Sequence, residues 1–236
     1  MTSASTSLLA VIPARGGSRR VPKKNIRVLR GRPLIQYTIA AALDSGVFAD
    51  VIVSTDDGEI AEIAKACGAQ VPFMRPAGLA DDHTPVSAVT VDALRLLDPR
   101  GDRYESVAQL MPNCPLRTHN DVQDSLAHFR GSGAEFQISV CRYGWFNPWW
   151  AMSLRDDGVL SPLFAERLAD RSQDQPELYC PSGAIWWAST GALRSVGTFH
   201  TAVSTGWTMP WEHALDIDTE DDWRMVEAVL ARAHTP

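Results

Sequence analysis

Leu8-Leu-Ala-Val-Ile-Pro-Ala-Arg-Gly-Gly-Ser-Arg-Arg-Val-Pro-Lys-Lys-Asn25 is the segment on which the fold is decided. Its first residues, Leu8 to Ile12, are an unbroken apolar run that stops at Pro13. Such a run reads as a strand buried on both faces, the kind found in parallel sheets. A Gly16-Gly17-Ser18 turn straight after it can aim successive backbone N–H groups at one anion. The two glycines allow positive φ and close approach. Five cations, Arg15, Arg19, Arg20, Lys23 and Lys24, crowd this loop in a chain of net charge -6. The loop is neither G-x-x-x-x-G-K-[ST] nor G-x-G-x-x-G, so the ATPase and dinucleotide fingerprints do not apply. The plain alternative is a surface loop of solvated charges.

Outward from this segment, strands and helices alternate. Residues 33–45 place apolar side chains at Leu34, Ile35, Thr38, Ile39, Ala42 and Leu43, with Pro33 in the first turn and Gly46 past the end, as in a helix. Residues 51–54 read as the next buried strand. Ile60, Ile63, Ala64 and Cys67 mark a helix closed by Gly68. Thr84-Pro85 opens another, with Val86, Val89, Ala93, Leu94 and Leu97 on one face. A strand at 107–111, a helix at 121–129 and a strand at 136–141 follow. Strand character returns at 183–188, and a last helix from Thr219 buries Trp223, Val226 and Leu230. This order predicts an α/β fold, a doubly wound and mostly parallel sheet, with ligands bound beyond the carboxyl ends of the strands.

The expected organisation is one domain over 1–236, with an insertion at about 142–182 where the alternation lapses. Trp145, Phe146, Trp149, Trp150 and Phe164 fall there, either on an arm that packs on a partner subunit or on a long insertion packed on its own domain. The acidic balance argues against a nucleic-acid binder. Four cysteines without metal or C-x-x-C spacing read as reduced thiols of a cytoplasmic protein. No apolar stretch approaches the ~18 residues of a membrane span.

Near the other end, Asp216 and Asp218 flank Ile217. In an extended segment both carboxylates face one side and Ile217 the core, an arrangement that suits Mg2+. Thr219 with Asp222 also reads as a helix cap, and the two readings are compatible.

The segment I-P-A-R-G-G-S-R-R-V-P-K-K-N from Ile12 to Asn25 resembles the signature loop of the CMP-sialic acid synthetase family. Ser54-Thr-Asp56, Arg75-Pro76 with Leu79-Ala-Asp-Asp82, Pro115-Leu-Arg117 and Asp216-Ile-Asp-Thr219 resemble its later motifs, in order. The resemblance implies a nucleotide-diphospho-sugar transferase (Rossmann-like) fold. It further implies CMP transfer from CTP to an acidic acceptor, with Mg2+ on Asp216 and Asp218 and a homodimer. Arg15 and Lys24 join the two aspartates as the catalytic set. Gly16, Gly17, Ser18, Arg19, Asn25, Arg75 and Asp82 join Arg15 and Lys24 in holding the nucleotide, Arg75 at the cytosine edge. Met111, Asn113, Arg117, Arg171, Gln173 and Ser182 fall at the acceptor. No general base is identified.

Two departures concern the acceptor. Met111-Pro-Asn-Cys114 stands where the family has Gln-Pro-Thr-Ser. Ser182-Gly-Ala-Ile-Trp186 stands for Asn-Gly-Ala-Ile-Tyr, with Cys180 where a basic residue is expected. These losses of polar contacts predict that N-acetylneuraminic acid is a poor acceptor. Kdo, a pseudaminic- or legionaminic-like sugar and a phosphonate remain open, as does a nucleotide-binding protein without catalysis.

Overall fold

A computed structural model describes residues 7–81, 84–144 and 146–232. The opening run forms β1 (Leu8–Pro13), buried along its whole length. β2 (Val28–Leu29) and β3 (Arg32–Pro33) make a short antiparallel turn into α1 (Leu34–Asp44). β4 (Asp50–Ser54) leads to α2 (Gly58–Ala66), whose N-cap Asp57 accepts from the backbone N–H groups of Glu59 and Ile60. Then come α3 (Val86–Leu97), β5 (Ser106–Gln109) and α4 (His119–Ser132). A Thr118–Asp121 capping box opens α4, and Gly133 closes it at φ 64, where glycine escapes the Cβ clash.

β6 (Phe136–Arg142) runs into the arm, a stretch of short 3-10 turns around the small hairpin β7 (Met152–Leu154) and β8 (Leu160–Pro162). The chain returns through β9 (Tyr179–Ser189), α5 (Thr190–Val196), β10 (Thr205–Thr208) and α6 (Trp211–Ala214) to α7 (Glu220–Arg232).

Six strands make one sheet in the order β10-β6-β9-β5-β1-β4. β1 pairs in parallel with β4 and β5, and β6 with β10; β9 runs antiparallel between β5 and β6. The carboxyl ends of β1, β4, β5 and β6 therefore share one edge, and the arm leaves from it. Alternation along the strands divides the core. Leu8, Ala10 and Ile12 join Val51, Val53 and Ala108 on one face, while Leu9, Val11, Ile52 and Val107 join α3 on the other. Trp187 stacks between Phe48 and Phe129, with centroids 5.5 and 5.9 Å away, and its indole N–H donates to Ser125. That arrangement supplies a large apolar area and satisfies the one polar atom. A third cluster, Val21, Leu29, Leu34, Ile217, Trp223, Val226 and Leu230, ties the basic loop to α7.

The elements expected from sequence are present with small shifts of boundary. α5, β10, α6 and the short β2–β3 pair were not anticipated. β10 is a partly exposed edge strand, Thr-Gly-Trp-Thr, with no apolar run to announce it. Trp149 packs edge-on against Phe164 and donates to the Pro176 carbonyl, so its ring belongs to the arm's own packing. Trp145 lies outside the described residues. Among those residues, no helix is long and apolar enough to cross a membrane.

Candidate functional site

Beyond the carboxyl ends of β1, β4 and β5 lies a cavity of about 570 Å³. Arg15, Gly17, Ser18, Arg19, Arg20, Lys24 and Asn25 form one wall, and Arg75, Asp81 and Thr84 another. Met111, Asn113 and Asp218 complete it. The two distant motifs meet because Val21 and Ile217 are both buried in the third apolar cluster. Burying a side chain of Ile217's size contributes roughly 2 kcal/mol, enough to hold its flanking carboxylates in place.

Lys24 Nζ donates to the Ile217 carbonyl at 2.8 Å and to Asp218 Oδ1 at 2.9 Å. Arg20 reaches the other oxygen, Asp218 Oδ2, at 2.8 Å. Burial pushes the Asp218 carboxyl up, but the Lys24 hydrogen bond and the charges of Lys24 and Arg20 outweigh it. The net position is below the ordinary carboxylate value. Asp216 goes the other way. Its residue is exposed overall, yet its carboxyl lies near Cys114, Cys141 and Asp218. Burial first, then Asp218 and Asp222, hold it above the ordinary value of 3.8. Thr219 and Asp222 form the expected cap, Asp222 Oδ2 accepting from the Thr219 backbone and hydroxyl at 2.7 and 2.8 Å.

A pH dependence follows. An acid whose folded pKa is raised contributes stability below its unfolded value and loses it as pH rises through the folded one. Without divalent cation, Asp216→Asn is expected to raise the melting temperature at pH 7. The gain should vanish below about pH 3.8. Thermal unfolding of both proteins between pH 3 and 8 checks this; an unchanged or lower melting temperature at pH 7 refutes it.

The glycine turn differs from its expected form. Neither Gly16 nor Gly17 has a positive φ; Lys23 does, at 51°, with its ammonium 2.6 Å from Glu59. Gly16 is required on steric grounds, because a Cβ there would lie 2.7 Å from Asp57 Oδ2. Its N–H is not open to an anion but donates to Asp56 Oδ1 at 3.0 Å. Arg20 and Asp56 were noted in sequence, in the cation cluster and the Ser54-Thr-Asp56 motif, but not given these partners. The place of Asp56 was discoverable, since Ser54-Thr-Asp56 sits at the carboxyl end of β4.

Arg75 is buried and donates to the Ser54 carbonyl and, at 3.2 Å, to the Ser54 hydroxyl. Burial pulls it down to about 10, so it stays charged at neutral pH. Asn25 Nδ2 donates to the Arg15 carbonyl at 3.0 Å, while its buried Oδ1 has no partner. Asp82 lies outside the described residues.

The expected acceptor residues divide. Met111 and Asn113 line the cavity. Arg117 and Ser182 do not. Arg117 is buried, donating to the Ala184 carbonyl, and Ser182 is buried with its hydroxyl on the Ala214 carbonyl at 3.2 Å. Arg171 pairs with Asp174 on the arm, and Gln173 lines a second cavity between the arm and β10. Of the departures at Met111, Cys180 and Ser182, only Met111 touches the first cavity.

Residues 9–103 match the profile of a family described as Cytidylyltransferase. A pseudaminic acid cytidylyltransferase of Campylobacter jejuni is 32% identical over 226 residues, 96% of this chain and 97% of the relative. The chain belongs to the cytidylyltransferase family. A CMP-N,N'-diacetyllegionaminic acid synthase of Legionella pneumophila is 32% identical over 225 residues, covering 94% of this chain and 96% of that one. The cytidylyltransferase fold is also that of a CMP:2-keto-3-deoxy-manno-octonic acid synthetase solved with CTP. That structure has a TM-score of 0.71 at 18% identity and covers 96% of this chain and 99% of the other. This cytidylyltransferase is thus a CTP-dependent nucleotidyltransferase, with its basic loop inside the region matched by the family profile.

Proposed function

We propose that the chain transfers CMP from CTP to an acidic, sialic-acid-like 2-keto sugar, releasing pyrophosphate. The observation that carries this reading is the basic loop paired with Asp218 in the wall of one cavity at the carboxyl edge of a cytidylyltransferase sheet. An acceptor hydroxyl oxygen bonds to the α-phosphorus, the bond to the bridging oxygen breaks, and pyrophosphate leaves. Arg15, Ser18, Arg19 and Lys24 hold the phosphates in line, so that alignment and charge neutralisation supply the rate. Lys24 and Arg20, now on Asp218, are the cations a triphosphate would draw away, leaving that carboxylate open.

Mg2+ fits the carboxylates thus left. Among the described residues no group of three or more His, Cys, Asp or Glu is set to hold a metal. Two hard oxygen donors suit an ion that takes one or two protein carboxylates and completes its shell with phosphate and water. Burial, Asp218 and Asp222 hold the Asp216 carboxyl above its ordinary value, a cost that a cation would relieve. Asp216 and Asp218 would hold the ion, which would supply Lewis-acid neutralisation of phosphate oxygens.

Arg75 serves the cytosine edge as donor, and the unpartnered Asn25 Oδ1 suits a nucleoside hydroxyl. CTP is expected to stabilise the protein far more than ATP or GTP in calorimetric titration; equal stabilisation by ATP would remove Arg75 from base selection. Phe146, Leu154 and Leu163 on the arm are 84, 70 and 62% exposed, which supports a homodimer through the arm. CTP supply goes with a cytoplasmic location.

Met111 is the feature of the cavity that bears on the acceptor. A thioether there cannot donate to a sugar hydroxyl. N-Acetylneuraminic acid is therefore expected to be a poor substrate beside pseudaminic- or legionaminic-like sugars. A kcat/KM for it of about 10⁴ M⁻¹s⁻¹ or more, the lower end of ordinary enzymes, would overturn that expectation.

A further inference from the structure

The fold brings together two cysteines that the sequence separates by the whole arm. β6 and β9 are the strands through which both ends of the arm join the sheet. Their outermost pairs are Arg142 with Tyr179 and Cys141 with Cys180. The two thiols therefore face each other across the arm's neck. Both are free and partly exposed, whereas Cys114 is fully buried.

The Tyr143 N–H donates to the Leu178 carbonyl at 3.0 Å. Alternation along an antiparallel ladder then makes Cys141 and Cys180 a hydrogen-bonded pair, with Cα atoms about 5.5 Å apart. A disulfide takes Cα separations of about 4.4–6.8 Å. Directly opposed side chains leave the sheet on the same face, so both sulfurs project the same way. Tyr143, two residues on, turns its phenol toward the Cys180 sulfur and lines the second cavity, of about 510 Å³. Neither cysteine lines that cavity; small solutes reach the pair through the partial exposure of both residues.

We infer that Cys141 and Cys180 form a redox-modification site, a disulfide that closes across the neck of the arm when a hydroperoxide reaches it. One thiol sulfur takes the distal oxygen of the hydroperoxide, giving a sulfenic acid and releasing the alcohol, or water from hydrogen peroxide. The facing sulfur then bonds to the sulfenic sulfur. The S–O bond breaks, and hydroxide leaves with the second thiol proton as water. Two thiols are oxidised and one peroxide bond is reduced. Opposed Cβ atoms of such a pair start about 5.5 Å apart and must close to about 3.8 Å, which strains the strands and keeps the bridge open to exchange with a dithiol. The bridge would join the arm's two ends beside Asp216, whose carboxyl lies near Cys141. This site stands independently of the CMP-transfer reading.

The test uses the full, reduced chain with one equivalent of hydrogen peroxide, alkylation, and peptide mass spectrometry without reductant. The expected result is a Cys141–Cys180 linked peptide, two hydrogens lighter than its parts, within a single chain. Free thiols should fall from four to two and return with dithiothreitol. Cys180→Ser should instead leave Cys141 as a dimedone-reactive sulfenic acid, and Cys67→Ser should still form the link. Wild-type protein that accumulates dimedone adducts or sulfinic acid without the linked peptide overturns the inference. A link that joins two chains does so too.

Discussion

Asp218→Asn is expected to lower kcat by on the order of 10²–10³ at saturating Mg2+, with the fold intact. The substitution keeps the shape and leaves the backbone N–H of residue 218 on Asp222, so the cap of α7 survives. What it removes is the charge that Lys24 and Arg20 neutralise and that would bind the cation. Pyrophosphate release from CTP measures the loss, and thermal unfolding separates it from misfolding. A kcat within tenfold of wild type would take Asp218 out of the mechanism.

Lys24→Met is expected to cost a similar factor, on the order of 10²–10³ in kcat/KM, and to weaken CTP binding in calorimetry. Methionine keeps most of the apolar stem while deleting the ammonium, so the charge is what is tested. The side chain is only 18% exposed and is held by the Ile217 carbonyl and Asp218 in the cavity wall. Its removal also takes away the largest influence lowering the Asp218 carboxyl, which should move back toward its ordinary value. Wild-type CTP affinity together with wild-type turnover would refute the assignment.

Legibility followed burial. The run Leu8 to Ile12 was readable because a strand covered on both faces needs apolar residues at every position. Ile217 between two aspartates was readable because a period of two separates core from cavity. That Arg117 and Ser182 are buried and do not line the first cavity was not legible, because side-chain direction at a loop or a strand end depends on neighbours that the sequence does not juxtapose. Ala214, which receives the Ser182 hydroxyl, lies on another element altogether. Gly16 was recognised for conformational freedom, yet its constraint is the capping carboxylate of Asp57, which occupies the space a Cβ would need. Such a contact depends on where α2 begins relative to the loop. The opposition of Cys141 and Cys180 was illegible for the same reason, being a property of register between distant strands.

The antiparallel strand in mid-sheet bears on how the chain is made. β5 and β6 touch the sheet through β9 alone on the sides that face each other. A nascent chain that has emerged only as far as the arm therefore holds β4-β1-β5 as one fragment and β6 as a separate strand, each with an open hydrogen-bonding edge. Residues Tyr179–Ser189 close both edges in one step, so the ribosome must deliver the chain as far as Ser189 before the sheet can become continuous. Until then the edges of β5 and β6 stay open to pairing with another chain.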